Sequence, residues 1–220
     1  MRRWMVVLSA SIGIALNNPV SSQTIERVSV ASDGTQGNGK SDWPSISADG
    51  RYVAYLSDAS NLVPGDTNGT TDGFVHDRQL GHTVRVSVAS DGTQGNGPTF
   101  WRGTSISADG RYVTFASDAT NLVPGDTNAT TDVFLHDRQT RKTTQVSVAS
   151  DGAQGNGASA SASISADGRY VAFYTQANNL GDISVNYGYA SRVLLHDRVS
   201  GQNTDVFTHC KSLWGNAILS

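Results

Sequence analysis

The chain has 220 residues, with 23 Gly, a single Cys, 16% charged residues and a formal net charge of −3. That length supports one domain with a buried core, and a lone Cys210 excludes an internal disulfide as its brace. The acidic balance argues against nucleic acid and anionic membrane surfaces as partners, and the abundance of Gly, Ser, Thr, Asn and Asp predicts turns rather than long helices.

Residues 1–22 read as a secretory signal. Arg2 and Arg3 supply a positive start, Trp4 to Leu16 forms an apolar run of 13 residues, and Val20 and Ser22 suit cleavage before Gln23. The run is short for a bilayer span, although a membrane anchor is the competing reading. Losing Arg2 and Arg3 takes the charge from −3 to −5. The expected product is secreted or periplasmic, with no membrane insertion after cleavage.

From residue 23 onward a unit of about 60 residues repeats. Val-Ser-Val-Ala-Ser-Asp-Gly begins at Val28, Val86 and Val146; Ser-Ile-Ser-Ala-Asp-Gly-Arg-Tyr-Val begins at Ser45, Ser105 and Ser163; His-Asp-Arg begins at His76, His136 and His196. Such a period marks stacked copies of one supersecondary unit. The units lie at about 44–90, 104–150 and 162–210.

Within the first unit four strands are predicted. Ser45–Ser47 is followed by an Asp49-Gly50 hairpin turn. Arg51–Ser57 is apolar on both faces, as expected of a strand buried on both sides. Gly73–Arg78 comes next, and His82–Ala89 alternates Val84, Val86 and Val88 with polar residues, as a half-buried outer strand does. Four antiparallel strands packed on both faces describe a β-propeller blade, and the fold class is therefore all-β. Strand parity puts the long loops Asp33–Pro44 and Asp58–Asp72, with their copies, on one end of the array, which is where function is sought. Three such units do not complete a ring, so a partial propeller or one completed by a second copy is expected. Thr24–Ser32, which matches a fourth strand without a blade of its own, is expected to pair across chains in a homodimer.

These runs, Ser-Ile-Ser-Ala-Asp-Gly-Arg-Tyr-Val followed by Val-Phe-Leu-His-Asp-Arg, resemble the WD-like propeller repeats of the TolB type over about residues 24–210. The resemblance implies a secreted or periplasmic propeller that binds partners. It is uninformative about activity, because some family propellers are attached to hydrolase domains.

The polar loops suggest chemistry. Asp66, Asn68 and Asp72, repeated as Asp126, Asn128 and Asp132, place alternating oxygen side chains as a Ca²⁺ site would, and resemble the calcium loops of integrin-type propeller repeats. Asx-turns are the competing reading. Unit three carries Arg192 where Asp132 stood. The three copies of His76 and the Asp-Gly-Thr-Gln-Gly-Asn-Gly segments read as packing and turn residues. Trp43, Phe100, Trp101 and Arg102 vary between units and are candidate ligand-binding residues, with covering of the blade ends as the alternative; Tyr187 and Tyr189 are weaker candidates. The expectation is a non-catalytic module that binds a protein or other ligand, calcium-stabilised; the alternative is a propeller domain or fragment of a secreted hydrolase or lyase.

Overall fold

A computed structural model describes residues 25–181 and 192–206, without the side chains of residues 101–103. The signal reading on residues 1–22, Tyr187, Tyr189 and Cys210 lie outside the described residues. Among those described there is no helix, and twelve strands form three four-stranded antiparallel sheets. The first blade comprises β1 (Ser41–Ile46), β2 (Tyr52–Ser57), β3 (Asp72–Asp77) and β4 (His82–Arg85). The second comprises β5 (Thr99–Ile106), β6 (Tyr112–Ser117), β7 (Asp132–Asp137) and β8 (Lys142–Gln145). The third comprises β9 (Ser159–Ile164), β10 (Tyr170–Thr175), β11 (Arg192–Asp197) and β12 (Gln202–Asp205). In each sheet the strands lie in chain order: three propeller blades, with β1, β5 and β9 packed side by side.

The repeated phrases define one hairpin. Ser47 Oγ donates to Asp49 Oδ1 at 2.6 Å, and Asp49 Oδ1 also accepts the Arg51 N–H at 3.0 Å. Gly50, at φ 72°, supplies the left-handed residue that the turn requires. Arg51 then reaches across to Asp77 with Nε and Nη2 at 2.9 and 2.7 Å, a two-pronged contact repeated by Arg111 with Asp137 and by Arg169 with Asp197. The Arg51 hydrogen bonds hold the Asp77 carboxyl down to about 2, and the same cause lowers Asp137 and Asp197. The histidines pack: His76 and His136 are buried, with Nδ1 at 2.9 Å from Thr83 and Thr143 Oγ1.

Two strand predictions need correction. The outer strand ends at Arg85 rather than Ala89, Val84 is exposed, and only Val86 is buried. From Val86 the chain leaves its own blade and folds onto the next. Val88 bridges Gln94, Asn96 N–H donates to Asn121 Oδ1 at 2.9 Å, and Thr120 N–H donates back to Asn96 Oδ1 at 2.8 Å. The inner strand starts at Ser41, four residues earlier than its alternation shows, because a bulge between Asp42 and Ser45 breaks the pattern. Residues 25–40 follow the same path onto the first blade, with Val30 bridging Gln36 and Asn38 paired to Asn61 and Ser60. The segment expected to pair across chains thus rests on its own chain.

The blades join by a contact made twice. Ala48 N–H donates to Ala108 O and Ala108 N–H to Ala166 O, both at 3.0 Å. Ile106 N–H donates to Ser45 Oγ and Ile164 N–H to Ser105 Oγ, both at 3.2 Å. Around them Ala54, Val75, Val86, Ile106 and Val113 form one shared apolar cluster, and a second links the last two blades.

Candidate functional site

The long loops carry the predicted acidic residues, and in the first blade these converge. Asn68 Nδ2 donates to Asp72 Oδ2 at 3.2 Å, while Gln94 Nε2 donates to Asp66 Oδ1 at 3.0 Å and Asp72 Oδ2 at 3.2 Å. What they surround is a cation of the chain's own. Arg85 Nη2 lies 3.3 Å from Asp66 Oδ2 and Arg85 Nε 3.4 Å from Asp72 Oδ2, with all three side chains buried. Those residues do not fit a bound metal, because the Arg85 guanidinium already stands between the two carboxylates and repels a second cation; its single charge offsets one of their two, and burial pushes the Asp72 carboxyl up. Asn68 Oδ1 meanwhile accepts the Thr70 N–H at 3.1 Å, an Asx-turn.

The other blades vary this pair. In the third it is reversed: Arg192 stands at the Asp72 position and Asp205 opposite, 3.8 Å from Arg192 Nη1. In the second, Gln145 replaces Arg85 at the register position opposite Phe134. Asp132 is left with Ser147 Oγ at 2.5 Å and Asn128 Nδ2 at 2.9 Å, and Asp126 with Gln154 Nε2 at 3.3 Å. Burial pushes both carboxyls up, and the neighbouring Asp126 charge adds to the rise at Asp132. Among the described residues, no group of three or more His, Cys, Asp and Glu side chains could hold a metal ion.

The candidate aromatics meet at a different place on the same end of the array. An open cleft of about 290 Å³ lies between the first two blades, lined by Lys40, Asp42, Trp43, Asp58, Thr99 and Phe100 among others. Trp43 sits in the β1 bulge at φ 53°, a left-handed conformation that a bulky residue adopts at a cost of roughly 1–2 kcal/mol. Its side chain is 48% exposed. The equivalent bulge in β5 is longer: the register passes from Phe100↔Ala116 to Ser105↔Thr114. Trp101 and Arg102 belong to that bulge, and their side chains lie outside the described residues. A sequence signal marks it, since Val-Ser-Val precedes Ser-Ile-Ser by 19 residues in the second unit and by 17 in the others.

Thr99 and Asp58 were not singled out by the sequence. Thr99 is buried at the cleft and its Oγ1 has no hydrogen-bond partner, whereas the equivalent Ser41 and Ser159 bond Ser57 and Thr175 across the strand at 2.9 and 2.8 Å. Ser117, which faces Thr99, donates instead to Pro98 O at 2.9 Å. Asp58 accepts from Thr71 Oγ1 at 2.5 Å, closing the loop beside the cleft.

No protein-family model and no curated protein matches the chain. Solved structures do resemble it in fold. A TolB-type protein from Agrobacterium tumefaciens shares 19% identity with a TM-score of 0.49, covering 76% of this chain and 49% of its own. TolB from Acinetobacter baumannii shares 15% with a TM-score of 0.33, over 76% and 43% of the two chains. An oligogalacturonate lyase in complex with manganese shares 11% with a TM-score of 0.49, over 79% and 42%. The chain spans about half the length of those structures or less.

Proposed function

We propose that this chain is a non-catalytic, exported binding module whose ligand enters the cleft between the first two blades. The observation that carries the reading is the contrast between repeated and unrepeated residues. Arg51, Asp77, His76 and their copies are all engaged in holding strands together. The exposed Trp43, the adjoining Phe100 and the unpartnered Thr99 hydroxyl occur once, at one cleft. An exposed aromatic flanked by Lys40, Asp42 and Asp58 suits a short protein segment carrying an apolar anchor and polar flanks. A random-peptide phage library panned on the purified chain tests this. Selected peptides should lose more than about tenfold in affinity against Trp43→Ala, with the fold unchanged. Peptides that bind the double variant Trp43→Ala/Phe100→Ala as well as the wild type would contradict it.

A second reading concerns calcium, and it belongs to the second blade alone. There Gln145 leaves the half-buried Asp126 and the buried Asp132 without a guanidinium, with Asn128 beside Asp132. A cation at that place would bind weakly, on the order of 10⁻⁴–10⁻³ M. Millimolar calcium should raise the melting temperature of the wild type more than magnesium does. Gln145→Arg should raise it without metal and abolish the calcium effect. A calcium shift that survives in Gln145→Arg, or no shift in the wild type, rejects this site.

A further inference from the structure

We propose that the two ends of the blade array are complementary, and that a second copy of this chain docks on them head to tail. The occupant is identified by the chain's own internal interfaces. Each is made by the trailing face of one blade and the leading face of the next, and the same contacts occur at both. Among the described residues, the leading face of the first blade and the trailing face of the third are the two unmatched halves of that contact.

Position by position the halves correspond. Ile106 and Ile164, on the leading faces of the second and third blades, are 7% and 9% exposed, whereas Ile46, their counterpart on the first, is 56% exposed. On the trailing side, Val86 and Val146 are buried, and Val206, which bonds β11 as they bond β3 and β7, is 51% exposed. The tyrosines show the same gap. Tyr52 lies between Arg51 of its own blade at 4.8 Å and Arg138 of the next at 4.2 Å, and Tyr112 between Arg111 at 4.7 Å and Arg198 at 4.1 Å. Tyr170 has Arg169 at 4.8 Å, and among the described residues no second guanidinium covers it.

The receiving half is formed on the first blade. Arg138 Nη1 donates to Gly110 O at 2.5 Å and presents its face to Tyr52; Arg78 Nη1 likewise donates to Gly50 O at 2.7 Å, with Glu26 paired to its other nitrogens. A Cβ on Gly110 would lie 2.1 Å from the Tyr52 ring, so the glycine is the floor on which the ring rests; Gly50 is an equal floor with no ring on it. Tyr170 of a second copy fits Gly50 and Arg78, and its trailing apolar face covers Ile46. Such a contact joins unlike surfaces, and two of them close a dimer.

Light scattering of the purified chain across micromolar concentrations should show a dimer. Ile46→Asp alters an exposed residue and Tyr170→Asp a half-buried one outside the described clusters, so both should fold normally while weakening self-association by more than about tenfold. Mixing the two variants should raise pairing above that of either alone, though below the wild type, because the mixed dimer keeps one of the two contacts intact, an unaltered leading face against an unaltered trailing face. Tyr170→Ala and Ile46→Ser repeat the test without added charge. A wild type that stays monomeric, self-association indifferent to these variants, or a mixture that pairs no better than either variant alone would each overturn the proposal.

Discussion

The ring of Tyr52 lies under the Arg138 guanidinium of the following blade, 4.2 Å from the guanidinium carbon to the ring centre, and rests on Gly110. A cation over an aromatic face away from solvent contributes about 1–2 kcal/mol, and here it fastens one blade to the next. The glycine is required twice over, since φ is 73° and a Cβ would meet the ring. Gly110→Ala should therefore cost more than Gly50→Ala, which meets the same backbone cost with no ring beside it, by about 1–3 kcal/mol. Urea unfolding of both variants, at concentrations low enough to keep the chain monomeric, checks the difference.

Within the blades, Val113 is fully buried in the cluster shared by the first two. Replacing it by Asp buries a charge without a partner and should cost roughly 3–5 kcal/mol. An unchanged melting temperature would refute the packing described for β6.

His136 provides a pH test. Burial lowers its pKa from 6.5 to about 4. Because the folded state holds the ring neutral, its stabilising contribution is complete above pH 6.5 and is lost as pH falls toward 4. The loss is at most about 3 kcal/mol. Denaturation curves at pH 7, 5.5 and 4 should show the decline, and His136→Asn should flatten it over that window. The arginine-paired carboxyls act at lower pH: Asp77, held down to about 2, contributes stability that is lost as pH falls below 3.8. Asp72, Asp126 and Asp132, raised by burial, act above 3.8 and in the opposite sense, so the comparison of wild type with His136→Asn isolates the histidine.

Export is tested at the other end of the chain. The basic start and the apolar run Trp4–Leu16 predict cleavage near Ser22. Mass spectrometry of exported material should find a chain beginning near Gln23, whereas an intact Met1 on that material would argue against a cleaved signal.

The sequence made the repeating architecture legible because each blade reuses the same hairpin: Asp49-Gly50 fixes the turn, and apolar residues on both faces of Tyr52–Ser57 fix a buried strand. The outer strand was misjudged because Val84, Val86 and Val88 alternate as a strand does, while the chain after Arg85 turns away to seat Asn96 against Asn121. Arg85 was missed in the acidic loop because it lies 13 residues beyond Asp72 in sequence, and only the β3–β4 register, Phe74 opposite Arg85, brings it back. Trp43 and Phe100 stood out by varying between units, but their meeting at one cleft depends on how neighbouring blades pack. Thr99 carried no signal at all, since a Thr or Ser occupies that place in every copy and only the lost cross-strand bond distinguishes it.

The division between a repeated scaffold and a single binding cleft is tested most directly by measuring unfolding free energy and peptide affinity side by side, using a peptide selected on the wild type, for Arg111→Ala and Trp43→Ala. Arg111→Ala should lower stability by about 1–3 kcal/mol, by removing the partner of a buried carboxylate, and leave the affinity of the folded fraction unchanged. Trp43→Ala should leave stability nearly unchanged, because the residue is 48% exposed and alanine meets the same left-handed backbone at φ 53°, and should weaken binding more than about tenfold. The opposite pattern, with Trp43→Ala unfolding the chain and Arg111→Ala abolishing binding while folded, would contradict that division.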